Sequence, residues 1–160
     1  MARRLSSVEL DFAESAKVRL VFTARLSARP DAVFRALADE VAATPVWFSP
    51  VVAARHLDGG AGREVRLRGG VFFRETIMAR EAGARYAYRI DETNVPGVTA
   101  MLEDWRLVAS GSGTAVRWTM ASEGPALFRL AMRGAGPGVG RSFKNAMRNL
   151  NRVLAPTPAP

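Results

Sequence analysis

Two glutamates carry the strongest chemical signal in this chain. Glu75 lies in the stretch Val71–Arg80, where Val71, Phe73, Ile77 and Ala79 form an alternating apolar set. Glu103 lies in Val98–Val108, where Met101, Trp105 and Leu107 do the same. Alternate side chains of a β-strand share a face, so each glutamate shares the apolar face of its strand. A carboxylate there is costly unless it is paired, hydrated or protonated. Burial raises its pKa and suits it to general acid–base work. Between the two lies Arg85–Asp91, whose inward set is Tyr86, Tyr88 and Ile90. These phenols can donate hydrogen bonds to a ligand carbonyl. Simpler uses stand beside this one. An inward glutamate can pair with an arginine or sit at a wet cavity mouth. Tyr86, Trp105 and Trp118 can be packing groups, and Trp47 can either line an entrance or pin a corner.

The register of the last hairpin is legible. Thr114–Ser122 turns Val116, Trp118 and Met120 inward. A turn at Ser110–Gly113 then pairs Leu107 with Val116 and Trp105 with Trp118. Glu103 falls opposite Met120, on the same side.

Other chemistries lack their residues. The chain has no cysteine, which excludes disulfides, thiolate metal sites and a cysteine nucleophile. His56 is the one histidine, insufficient for a usual zinc site. It is placed inward by parity with Val52 and Ala54. No Gly-x-Ser-x-Gly elbow is present. Ser110–Gly113 is a hairpin turn, and Gly134–Gly140 lacks the context of a phosphate loop. No metal or cofactor is expected.

These groups need a scaffold. Leu5, Val8 and Phe12 have the spacing of a short helix. Lys17–Leu26 alternates as a strand. Pro30 and Asp31 open a helix with Val33, Phe34 and Leu37 on its apolar face. A second short helix is expected over Asp39–Thr44, ending at Pro45. Six strands follow, from Val51–Leu57 to Thr114–Ser122, joined by short glycine-bearing turns, the pattern of an antiparallel meander. Beyond Gly124-Pro125, Val139, Phe143, Met147, Leu150 and Leu154 recur at helical spacing, with Arg141, Lys144, Arg148 and Arg152 on the other side. Gly134–Gly140 is expected to break this helix into Ala126–Arg133 and Val139–Leu154. One amphipathic helix must therefore cover a seven-stranded sheet. The sheet has to curl around it, leaving room for a cavity between them.

The formal charge is +8, nearly all of it arginine. The arginines are scattered through the strands without a dense basic run, which argues against specific nucleic-acid binding. No stretch approaches a transmembrane span or the apolar core of a signal peptide. The reading is a soluble, cytoplasmic protein, monomeric or homodimeric.

Ala28-Arg29-Pro30-Asp31-Ala32-Val33-Phe34, Trp47, Arg85-Tyr86-Ala87-Tyr88-Arg89, Glu103-Asp104-Trp105-Arg106-Leu107 and Gly113-Thr114-Ala115-Val116-Arg117-Trp118, with the C-terminal helix, resemble the polyketide cyclase/dehydrase branch of the START-like (SRPBCC, Bet v 1-like) superfamily. The resemblance implies an α+β helix-grip fold: a seven-stranded curved antiparallel sheet wrapped around a long C-terminal helix, with two short helices after the first strand. It implies an N-terminal extension over 1–16, a ligand-binding domain over 17–154 and a flexible tail over 155–160. It implies a hydrophobic ligand (polyketide-like, aromatic or lipidic) contacted by Trp47, Phe73, Tyr86, Tyr88, Trp105, Trp118, Phe143 and Met147. If the protein is an enzyme, Glu75 and Glu103 are the catalytic candidates for an aldol-type closure or dehydration on a poly-β-carbonyl chain. Two other uses stay open: a carrier or sensor of lipids or quinones, and a module docking an acidic partner, such as an acyl carrier protein, through the basic helix face.

Overall fold

One antiparallel path, β2-β8-β7-β6-β5-β4-β3, contains all seven expected strands. The computed structural model describes residues 1–156, so most of the expected tail lies outside the described residues. The strands are β2 (Val18–Leu26), β3 (Val51–Leu57), β4 (Gly62–Leu67), β5 (Phe72–Glu81), β6 (Arg85–Thr93), β7 (Ala100–Ser110) and β8 (Gly113–Glu123). An eighth, two-residue strand, β1 (Arg3–Arg4), pairs with Glu92 and Thr93 of β6, beyond the point where β7 leaves that strand. The β7–β8 register is the expected one: Trp105 faces Trp118, Leu107 faces Val116 and Glu103 faces Met120.

Of the helix expected from Leu5, Val8 and Phe12, only its end forms, as α1 (Phe12–Ser15). Phe12, Ala13 and Ala16 pack with Ala100, Leu102 and Ala121 in a small second core. Leu102 and Ala121 neighbour the inward positions in their strands, so α1 covers the convex face of the sheet.

After β2, α2 (Pro30–Phe34) runs directly into a π-helical turn, Arg35–Asp39. The next helix differs from expectation. Pro45 does not end it but lies in the first turn of α3 (Thr44–Trp47), where the missing N–H has no intrahelical partner to lose. Trp47 is consequently the last residue of α3 and is buried.

The expected break at Gly134–Gly140 is absent. A single helix, α4, spans Ala126–Leu154 with Pro137 inside it. Tertiary packing outweighs the local propensity. Pro137 and Arg133, the residue whose carbonyl loses its helical partner to the proline, are both exposed. The glycines permit close approach to β2: a Cβ at Gly140 would stand 3.0 Å from Phe22 Cε1, and one at Gly136 3.5 Å from Leu20 Cδ2. The main core lies in the concavity, where Phe143, Met147 and Leu150 of α4 join Trp105, Trp118, Val116 and Ile90 of the sheet.

Candidate functional site

A cavity of about 510 Å³ remains between the concave face and α4. Its wall is mostly apolar: Leu37, Trp47, Phe48, Phe73, Met101 and Met120 are among its residues. From the helix it takes Ala135, Gly138, Val139 and Ser142. The glycine-rich stretch thus has a positive use. Where Phe143, Met147 and Leu150 fill the space below, small side chains leave it empty.

Set into this wall is a buried polar cluster. Arg63 on β4 stands directly across from Glu75 on β5, and its Nε donates to Glu75 Oε2 at 2.6 Å. The two side chains are 8% and 3% exposed. The guanidinium carbon lies 4.1 Å from the centre of the Tyr88 ring and 5.6 Å from that of Tyr86, a cation–π arrangement. Two residues along β6 from Ile90, the partner of Glu75, Tyr88 faces Glu103 and its hydroxyl donates to Glu103 Oε2 at 2.6 Å. Trp118 Nε1 donates to the same oxygen at 3.0 Å, and Trp105 Nε1 donates to the Tyr88 hydroxyl at 3.2 Å. The two indoles stack 5.0 Å apart, so packing holds both donors in place.

The charge count inside is uneven: one arginine and two carboxylates. Burial pushes Glu75 up to about 7, against the opposing pull of Arg63, and nearby Glu103 adds to the rise. Burial also raises Glu103, although the hydrogen bonds from Tyr88 and Trp118 favour its charged form. The Tyr88 phenol is held well above its ordinary value, first by burial and then by Glu103. Its proton therefore stays on oxygen and points at Glu103. The site can hold negative charge beside a fixed cation, with the Glu75 carboxyl poised to give or take a proton near neutrality.

Of the candidates, Glu75, Glu103, Trp47, Phe73, Tyr86, Tyr88, Trp105 and Trp118 all stand on this wall. Phe143 and Met147 do not. Phe143 is 1% exposed and packs against Phe22, Trp105 and Trp118, and Met147 is 3% exposed in the same core. Tyr88 is not free to donate to a ligand while Glu103 holds its proton. The Tyr86 hydroxyl and Trp47 Nε1 are buried and have no hydrogen-bond partner among the described residues. His56 keeps the parity of Ala54 and pairs with Arg63, but a bulge between Val51 and Ala53 carries Val52 to solvent. At the edge of the sheet His56 is exposed, with Nε2 3.2 Å from the Asp39 carbonyl oxygen, off the cavity wall. Arg63 is a further residue of the polar cluster on the cavity wall, outside the candidates named from the sequence. Its signal was parity: Val65 and Leu67 mark the inward face of β4, and Arg63 shares it. No cluster of metal-ligating side chains occurs among the described residues.

A curled antiparallel sheet gripping a long C-terminal helix around an apolar cavity is the architecture of START-like, Bet v 1-like proteins. Within that class, residues 17–155 match the family described as polyketide cyclase/dehydrase and lipid transport, and the chain belongs to it. Uncharacterized proteins of Mycobacterium tuberculosis (Rv2574) and Mycobacterium bovis (Mb2604) are 32% identical over 152 residues, covering 91% of this chain and 89% of each relative. Among solved structures, the di-domain aromatase/cyclase BexL of the BE-7585A biosynthetic pathway superposes with TM-score 0.73 at 19% identity, over 87% of this chain and 48% of BexL. The major latex-like protein 151 of Panax ginseng gives 0.70 at 10% identity, over 87% and 98%. A START superfamily protein of Mycobacterium smegmatis gives 0.66 at 11% identity, over 85% and 96%. At these identities the structural likenesses establish the fold.

Proposed function

We propose that this protein binds a hydrophobic, carbonyl-bearing molecule in the cavity and catalyses proton transfer on it, leading to ring closure or dehydration. The observation that carries the reading is the buried Arg63–Glu75 pair with Glu103 in the same apolar wall. A vessel for purely apolar cargo gains nothing from three ionisable groups whose burial is costly. A catalyst of enolisation needs such groups.

The roles follow from the chemistry. A ligand carbonyl oxygen lies toward Arg63, the cation of the wall. Glu75, as carboxylate, removes a proton from the carbon next to that carbonyl. The C–H electrons become an enolate, whose charge Arg63 stabilises in a site of low dielectric. The enolate carbon then attacks a second carbonyl of the same chain. A C–C bond forms, and the resulting alkoxide takes its proton back from the Glu75 acid. Loss of water completes a dehydration. Glu103, held by Tyr88 and Trp118, sets the local charge and so the basicity of Glu75. No metal or redox partner enters this scheme. The cavity volume lies within the range of small-molecule sites.

The test uses a linear poly-β-ketone thioester, followed by absorbance and by mass spectrometry of the products. The expected result is a new chromophore with wild-type protein, lost in Glu75→Gln with binding retained. Tight binding with the ketone recovered unchanged would replace catalysis by carriage. No binding of any apolar probe would overturn both.

A further inference from the structure

The outer side of α4 has no role in the cavity chemistry, yet its composition is strongly biased. Residues 126–154 contain six cations and no aspartate or glutamate. One stripe, at spacings of three and four, is exposed along its whole length. Its first half is uncharged: Leu127, Leu130, Gly134 and Pro137. Its second half is cationic: Arg141, Lys144, Arg148 and Arg152. Leu127 and Leu130 are 79% and 68% exposed, an unusual position for two leucines a single turn apart. None of the four cations forms a salt bridge among the described residues. Ala135 and Gly138, on the cavity wall, lie beside the uncharged half of the stripe and are themselves exposed. The apolar patch therefore precedes, along α4, the segment that lines the cavity.

We propose that this stripe docks the protein on an anionic lipid bilayer, with Leu127 and Leu130 entering the headgroup–acyl boundary and the four cations lying on lipid phosphates. A helix of 29 residues is about 44 Å long, and the shared stripe puts both halves on one side of it. A bilayer offers what both halves require, apolar depth and a continuous sheet of negative charge. An acidic protein or a nucleic acid matches the cations and leaves the leucines in water. Docking in this orientation brings the cavity-lining segment of α4 near the bilayer, where apolar molecules concentrate. The proposal concerns the outer face alone and does not depend on what the cavity does to its ligand.

The experiment is vesicle co-sedimentation of the full chain with phosphatidylcholine alone and with roughly 30 mol% phosphatidylglycerol, in about 0.1 M salt. Binding is expected only to the anionic vesicles. Leu127→Ser with Leu130→Ser should weaken it by about tenfold or more. Arg141→Gln with Arg148→Gln should weaken it by roughly fivefold for each charge removed. Both double variants change exposed residues, and unaltered circular dichroism and unaltered uptake of a fluorescent apolar probe by the cavity would confirm that fold and cavity are intact. Absence of binding to anionic vesicles overturns the proposal. So does binding that falls with salt but ignores the leucine substitutions, because the surface would then be a docking site for a polyanion or an acidic protein.

Discussion

Two pairs of consecutive residues straddle the sheet and meet opposite fates. Arg63 and Glu103 point into the concavity, and their chain neighbours Glu64 and Asp104 point to the convex face. Outside, each carboxylate is outnumbered by arginine. Glu64 is approached by Arg55, Arg66 and Arg74, and Asp104 by Arg85 and Arg106. Inside, Glu75 and Glu103 share Arg63. Burial pulls Glu64 upward, but its hydrogen bond to Arg55 and the attraction of Arg55 and Arg66 prevail and hold it below its ordinary value. Glu75, with one cation and a second carboxylate nearby, is pushed up to about 7. The same residue type thus becomes a permanent anion on one face and a proton carrier on the other. The excess of arginine in the composition is spent on the convex face and on α4, away from the site.

The largest effect should come from breaking the inner pair. Arg63→Met strands Glu75 without its cation and should cost about 3–5 kcal/mol at slightly alkaline pH. The double variant Arg63→Met/Glu75→Leu should recover most of that loss. Urea unfolding of all three proteins checks this, and a loss below about 1 kcal/mol for the single variant would place the inner pair on a par with surface pairs.

The second expectation concerns pH. Between its ordinary value of 4.5 and about 7, Glu75 holds a proton in the folded state that it has released in the unfolded chain. Stability therefore falls as pH rises through that window, by about 3 kcal/mol from Glu75. Glu103 acts with the same sign. Glu64 acts with the opposite sign, because its folded value is lowered, and its contribution is lost only as pH falls below about 4.5. Unfolding midpoints near pH 5 and near pH 8 should show the wild type more stable at the lower pH, and Glu75→Gln should flatten the profile. A wild-type profile rising with pH would mean that Glu75 is held as a carboxylate.

Trp118→Phe is the next step down, at about 2 kcal/mol for a hydrogen bond to a carboxylate. Removing that donor also takes away a group that favours the charged form. The infrared band of the protonated Glu103 carboxyl should then persist to higher pH than in wild type. The smallest effect belongs to the convex face. Arg66→Gln leaves Glu64 with Arg55 and Arg74, and the change should stay within about 0.5 kcal/mol.

What the sequence alone determined was the set of faces. A period of two and a turn of known length decide which side of a strand each residue occupies, so the sequence alone places Tyr86, Tyr88, Trp105, Trp118, Glu75 and Glu103 inward. The amphipathic period likewise marked the buried side of α4. Tertiary structure decided the rest. Parity states which face a residue shares but not how far along the strand the cavity extends, so His56 falls outside the wall. Helical period states a direction but not a depth, so Phe143 and Met147 became core. Local propensity breaks a helix at Gly134–Gly140, yet close packing on Leu20 and Phe22 keeps it whole, and the cavity opens where those side chains are missing. The Arg63–Glu75 pair depends on a register between β4 and β5 that only the assembled sheet fixes, and burial there raises the pKa of the Glu75 carboxyl.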